Sequence, residues 1–135
     1  MVKALLDTNV LIDILKGDKK ATECVEAIRK SASLYTTTVN IYEILRGIQL
    51  LEKNKEKHFQ ALRLLIYNIN IISIDIEVAE SAAFIYAQLR KNGRAIDEPD
   101  YLIAGACLSN GISNIITKNS KHFREIKGID HVISY

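Results

Sequence analysis

Two kinds of hydrophobic spacing alternate along this chain. Val2 to Leu6, Leu34 to Thr36, Ile69 to Ile74, Ile115 to Thr117 and His131 to Ile133 are short runs of apolar and β-branched residues, the pattern of strands. Between them apolar residues recur at helical intervals. Val10, Leu11, Ile14 and Leu15 predict a helix that starts after Asp7-Thr8-Asn9 and breaks at Gly17-Asp18, and a second follows from Lys20 to Lys30. Ile41, Ile44, Leu45 and Ile48 mark one helix face; Phe59, Leu62, Leu65 and Ile66 mark the next, and the pair is expected to form a hairpin. Val78, Ala82, Ile85 and Leu89 line a long helix that stops at Asn92-Gly93. Pro99 suits the first turn of another, whose Tyr101 to Leu108 stretch ends at Asn110-Gly111. Strands alternating with helices predict an α/β fold, with a parallel sheet covered on both faces. Ile69 to Ile74, the most β-branched run, is expected to be a second major buried strand beside Val2 to Leu6.

Composition adds limits. With 135 residues and 48% hydrophobic content, residues 1–135 are expected to form a single domain around one core. A charged fraction of 25% is ordinary for a globular chain, and a net charge of +2 is too small to announce nucleic-acid binding by itself. Any contact with phosphates must come from local charge placement. Cys24 and Cys107 stand far apart, outside any zinc-like spacing, and read as small buried apolar residues. The N-terminus has no signal-peptide pattern and no apolar run approaches the ~20 residues of a membrane span, so no membrane partner is expected and the cytoplasm is the default compartment.

Three acids stand out by position, and each has a structural alternative. Asp7 follows the first buried strand, where ligands of parallel sheets bind; it is either a helix cap or, if Thr8 and Asn9 cap instead, a free ligand. Glu43 lies close to the apolar side of its helix, where an unpaired carboxylate is costly, and either Arg46 one turn on or a bound cation compensates it. Asp100 stands near a helix start, where the dipole favours an acid, although Asp97 and Glu98 serve that purpose equally. Ala104 lies on the same face as Asp100, four residues on, and leaves room beside it.

Read together, these stretches resemble a known family. Leu6-Asp7-Thr8-Asn9-Val10-Leu11-Ile12-Asp13 resembles the opening motif of PIN-domain nucleases. Thr37 to Gly47, with Glu43 followed by Ile44-Leu45-Arg46-Gly47, resembles the second motif, Gly93 to Ala104 the third, and Ile116 to Phe123 the fourth. Four motifs in order span essentially the whole chain, and in its short form the sequence is most similar to the VapC toxins. The resemblance implies a three-layer α/β/α fold with a short central parallel sheet. It also implies an acidic pocket of Asp7, Glu43 and Asp100 holding Mg²⁺, or Mn²⁺, because hard cations prefer oxygen ligands. A metal-activated water would then hydrolyse RNA phosphodiester bonds. Asp7 and Asp100 are the expected direct ligands, and Glu43 a ligand or an orienting base. A homodimer and a cognate VapB-like antitoxin, its terminal segment laid across the groove, are further implications.

The fourth motif departs from the fuller pattern, in which an acid commonly stands at Asn119 or at His122. Asn119 remains a candidate for the catalytic site through its carbonyl oxygen, but a neutral amide compensates less charge, so one metal ion is expected before two. His122 is read as a surface histidine rather than a general acid or base. Thr117 either hydrogen-bonds the pocket acids or serves the turn. Thr8, Asn9, Arg46, Thr117 and Lys118 are the candidate substrate contacts, whereas the charges from Lys121 to Lys127 read as solvated surface. Ile48, Leu50 and Leu51 read as core before dimer surface. A haloacid-dehalogenase phosphatase would need an acid two residues after Asp7, where Asn9 stands. A stand-alone RNA-processing nuclease and a catalytically weak RNA- or protein-binding module are the remaining alternatives.

Overall fold

Val2–Leu6 (β1) is the centre of the sheet because nearly every side chain on it is apolar and both its edges find partners. A computed structural model describes residues 2–135. β1 is followed by α1 (Thr8–Leu15), α2 (Lys19–Arg29), β2 (Ala32–Thr37), α3 (Thr38–Gln49), α4 (Lys55–Ile66), β3 (Asn70–Ile72), α5 (Ile76–Lys91), α6 (Glu98–Ser109), β4 (Asn114–Ile116), α7 (Ser120–Phe123) and β5 (His131–Ile133). The strands form a five-stranded sheet in the order β3-β2-β1-β4-β5. Every pairing is parallel; β1 meets β2 with Leu5 opposite Tyr35, and meets β4 with Leu6 opposite Ile116.

The period-two alternation of β1 builds the three layers. Leu5 points into a core with Val78, Ala82, Ile85 and Ile103 from α5 and α6. Ala4 and Leu6 point the other way, into a core with Val10, Leu11, Val25, Ile44 and Leu62 from α1 to α4. α5 and α6 approach so closely that a Cβ on Gly105 would lie 2.7 Å from the carbonyl oxygen of Val78 and 2.8 Å from the amide nitrogen of Ala82. Only glycine permits that spacing. No helix of the described residues is long and apolar enough to cross a membrane.

Two expectations need correction. Ile69 to Ile74 is not a second major buried strand: only Asn70–Ile72 pairs, at the sheet edge, with Asn70 and Ile71 exposed. Ile69 and Ile74 pack in the cores without belonging to the strand, so their hydrophobicity reports packing rather than pairing. Leu50 and Leu51 are not core; they follow the last turn of α3 and are 81% and 37% exposed, while Ile48 on the inner helix face is buried. α7, for which the sequence pattern carries no expectation, has four residues, too few to display a helical period.

Candidate active site

The buried polar and charged side chains among the described residues are Asp7, Thr36, Thr37, Asn40, Asp100 and Thr117. Asp7, Thr37 and Thr117 lie at the carboxyl ends of β1, β2 and β4, and Asn40 and Asp100 in the first turns of α3 and α6. The order of strands reverses between β1 and β4, where parallel sheets open a crevice beyond their carboxyl ends. Asp7 and Thr117 flank that opening.

Asp7 is 3% exposed and its backbone amide continues the sheet by donating to Ile116 O at 3.0 Å. It is the cap of α1: Oδ1 accepts from Thr8 N at 2.8 Å. Thr8 and Asn9 therefore do not relieve it of capping. Capping does not exclude a second role, since each carboxylate oxygen has two acceptor sites. Asn40 Nδ2 donates to the same oxygen at 3.1 Å, and Thr117 Oγ1 donates to Oδ2 at 2.7 Å. Burial nevertheless pushes the Asp7 carboxyl above its ordinary range, and the neighbouring charge of Glu43 adds to the rise against the hydrogen bonds that lower it.

Glu43, half-buried on α3, accepts a 2.6 Å hydrogen bond from Thr8 Oγ1. Arg46 lies over the Tyr42 ring, 5.3 Å from its centroid, and is not ion-paired with Glu43, so of the two expected compensations for Glu43 the Arg46 pair is not formed and the cation is left. Asn40 organises this side of the site. Its Oδ1 accepts from Thr37 N and Thr37 Oγ1, closing a capping box at the start of α3, while its Nδ2 reaches both Asp7 and Thr8 Oγ1. Sequence reasoning passed over Asn40, yet a Thr followed three residues later by a polar amide at a helix start was the available signal.

Asp100, 6% exposed, is placed by the first turn of α6, and burial, with a smaller push from the charge of Asp7, raises its carboxyl to about 6 against the lowering effect of His122. His122 Nδ1 meets Asp100 Oδ2. His122 is thus no free surface histidine; its side chain is 29% exposed and it leans on a buried acid. That contact joins α6 to α7 across 22 residues of sequence, a separation at which no local pattern reveals it.

Asp7, Thr8, Asn9, Glu43, Arg46, Asp97, Asp100 and Asn119 share the walls of one pocket of about 400 Å³. An apolar groove of about 630 Å³ adjoins it, lined by Val39, Tyr42, Tyr86 and Leu102 and sharing Glu43, Arg46 and Pro99. Asn119 is exposed at the rim, its backbone amide donating to Thr117 Oγ1 at 2.9 Å. Thr117 itself is buried and bonded to Asp7, the pocket-acid alternative of its two readings. Lys118 is turned aside: its amide donates to Asn9 Oδ1 and its Nζ pairs with Asp13 at 3.0 Å above the Tyr135 ring.

The donor chemistry suits a hard dication. Asp7, Glu43 and Asp100 offer carboxylate oxygens, two of them buried, and their mutual repulsion raises the carboxyls of Asp7 and Asp100. A dication relieves both costs. The tightest grouping of ligand atoms among the described residues, however, is Asp97, Asp100 and His122, whose atoms lie within 4.8 Å of one another.

Comparison with known proteins shows relatives in sequence and in fold. The PIN domain family model matches residues 4–129. The chain is 33% identical over 125 residues to Ribonuclease VapC1 of Methanocaldococcus jannaschii, covering 93% of this chain and 82% of that one. It is 26% identical over 129 residues to the tRNA(fMet)-specific endonuclease VapC of Shigella flexneri, covering 96% of each. Among solved structures, VapBC2 from Rickettsia felis bound to a promoter DNA fragment superposes with a TM-score of 0.88 at 19% identity, covering 99% of both chains, a likeness of fold. A toxin-antitoxin complex from Klebsiella pneumoniae gives 0.75 at 26% identity, over 96% of this chain and 95% of that one.

Proposed function

The chain belongs to the PIN-domain family, among the VapC ribonucleases, and from that premise we propose that it is a metal-dependent endoribonuclease, the toxin of a toxin–antitoxin pair. The observation that carries the catalytic reading is the convergence of Asp7, Glu43 and Asp100 on one pocket at the carboxyl edge of a parallel sheet. Asp7 and Asp100 hold Mg²⁺ or Mn²⁺, with Glu43 a further ligand or the residue that orients water. Magnesium keeps several waters and takes one or two carboxylates plus substrate phosphate, so the acids need not form one tight cage. When bound, the ion lowers the pKa of water and offsets charge on the phosphate under attack.

The protein's own residues prepare that site. Thr117 and Asn40 fix both oxygens of Asp7, and Thr8 fixes Glu43, so that the carboxylates do not reorganise when substrate arrives. Arg46, on the wall shared by pocket and groove, supplies positive charge for an RNA phosphate, with Thr8 and Asn9 as polar contacts beside it. Asn119 at the rim contributes its amide to the catalytic site or to a water there. A homodimer and an antitoxin cover exposed apolar surface, of which Tyr42 and Tyr86 at the groove, Phe84 on α5, and Leu50, Leu64 and Tyr67 at the α3–α4 hairpin are the main examples.

The test uses purified protein with single-stranded and looped RNA. Cleavage is expected with Mg²⁺ or Mn²⁺, is expected to stop with a chelator, and is expected to fall at least ~100-fold in Asp7→Asn and Asp100→Asn. Cleavage that survives in both variants, with contamination excluded, defeats the assignment. A short reading frame next to the gene whose product binds this chain and blocks cleavage supports the toxin assignment; its absence leaves a stand-alone nuclease.

A further inference from the structure

One acid in the pocket wall, Asp97, is out of keeping with its place in the fold. Asp18, Asp75 and Asp97 all occupy N-cap positions with extended backbone, yet Asp18 accepts from Ala21 N and Asp75 from Val78 N, while Asp97 makes no side-chain cap bond to α6. A missing cap forgoes stability that aspartate at this position ordinarily contributes. The Asp97 carboxylate lies instead with Asp100 and His122, which brings two acids and one imidazole within 4.8 Å. Asp100 is buried, and Asp97 and Asp7 both add repulsion to it. A neutral imidazole does not offset that charge, and an imidazolium offsets one acid of the two.

From this geometry we infer that Asp97, Asp100 and His122 form a mixed oxygen–nitrogen cation site that prefers transition-series dications such as Mn²⁺, Co²⁺ and Zn²⁺ to Mg²⁺. It shares Asp100 with the pocket of Asp7 and Glu43, and to that extent it rests on the ribonuclease reading. Ligand atoms around one ion, each at ~2.1 Å, are separated by up to about 4.2 Å, so the present grouping closes on an ion with small side-chain rotations. Asp97 is exposed and His122 partly so, which leaves both free to make them. The imidazole decides the preference. Affinity of nitrogen-bearing sites rises from Mn²⁺ through Co²⁺, whereas Mg²⁺ favours oxygen alone. His122 therefore supplies a ligand of a different kind at the position where an acid would complete an all-oxygen set, and the chain's choice of metal shifts accordingly.

Metal-stripped full-length protein loaded with Mn²⁺ provides a readout independent of cleavage, because electron spin-echo modulation detects nitrogen bound to Mn²⁺. Nitrogen coupling is expected in the wild type and in Asp7→Asn, and is expected to vanish in His122→Ala. Calorimetry is expected to show Co²⁺ and Mn²⁺ affinity falling at least ~10-fold in His122→Ala, with Mg²⁺ affinity moving much less. His122→Asp should recover binding with its preference turned toward Mg²⁺. Since the chain has three histidines, the signal must follow His122. No nitrogen coupling in the wild type, or coupling and Co²⁺ affinity unchanged in His122→Ala, overturns the inference; if that variant does not fold, the wild-type signal and His122→Asp decide. Nitrogen coupling in a protein that cleaves no RNA overturns the ribonuclease reading and leaves the metal site standing. Cleavage with no coupling does the reverse.

Discussion

Replacing Asp100 by asparagine should stabilise the metal-free protein while abolishing its cleavage of RNA. The carboxyl of Asp100 is raised from its ordinary 3.8 to about 6, chiefly because burial disfavours its charged form. A folded-state pKa above the unfolded value means that the folded protein holds the proton more tightly. The contribution to stability is therefore fully present below about pH 4 and is lost as pH rises through about 6. The full difference corresponds to ~3 kcal/mol, and the pocket's opening to water reduces it to about 1–2 kcal/mol. Asparagine has the same shape and no charge to bury at any pH.

Thermal unfolding in the presence of a chelator, followed at several pH values, measures this directly. At pH 7.5 Asp100→Asn should melt above the wild type by roughly 3–10 °C, taking a domain of this size to shift ~3–5 °C per kcal/mol. The gap should close as pH falls toward 4, where the wild-type carboxyl is protonated as well. Added Mg²⁺ should then raise the melting temperature of the wild type, since an ion that binds only the folded state stabilises it by mass action, and should leave the variant almost unmoved. A variant that melts below the wild type at pH 7.5 without metal would refute the reasoning, because it would make the Asp100 carboxylate a net structural asset, held by His122, rather than a cost carried for a cation.

Two further substitutions test the scaffold. Gly105→Ala should destabilise the protein by about 1–3 kcal/mol or more, because the new methyl meets backbone atoms of α5 at 2.7–2.8 Å and the helices must part; a melt within ~1 °C of the wild type would show that the α5–α6 contact yields freely. Asn40→Ala should lower both stability, by about 2–3 kcal/mol, and the rate of RNA cleavage, since it removes a buried capping partner together with a donor to Asp7; urea titration and single-turnover kinetics separate the two, and loss of stability with an unchanged rate would confine Asn40 to capping.

How far these features were legible in the amino-acid sequence depends on how local their causes are. Asp7 was legible because a buried strand and a helix start are each written in adjacent residues, and together they place it at the carboxyl edge of the sheet. The helices declared themselves by period, and α6 announced its first turn with Pro99 and its end with Asn110-Gly111. β3 was misjudged because the four isoleucines from Ile69 to Ile74 do not say whether their apolar groups serve pairing or packing; only the order of strands, a property of the whole chain, leaves the run at an edge. His122 was misjudged for a similar reason. Its burial and its partner arise where α7 folds back on α6, and no spacing within the fourth motif encodes that contact.

The buried polar groups show how fold and chemistry are joined here. Thr36, Thr37, Asn40 and Thr117 find partners within the protein, through hydrogen bonds to Leu6 O, to one another and to Asp7. The acids are different. Asp7 accepts three hydrogen bonds and still carries a raised pKa, Asp100 has one imidazole against two neighbouring acids, and Asp97 makes no side-chain cap bond to its helix. A protein selected for stability alone would replace them with amides or apolar residues at little structural cost. Their place at the edge where the parallel sheet opens is what the proposed cation would answer: Thr8, Thr117 and Asn40 hold Asp7 and Glu43 by hydrogen bonds, and a bound cation would complete the charge balance that the chain by itself leaves unfinished.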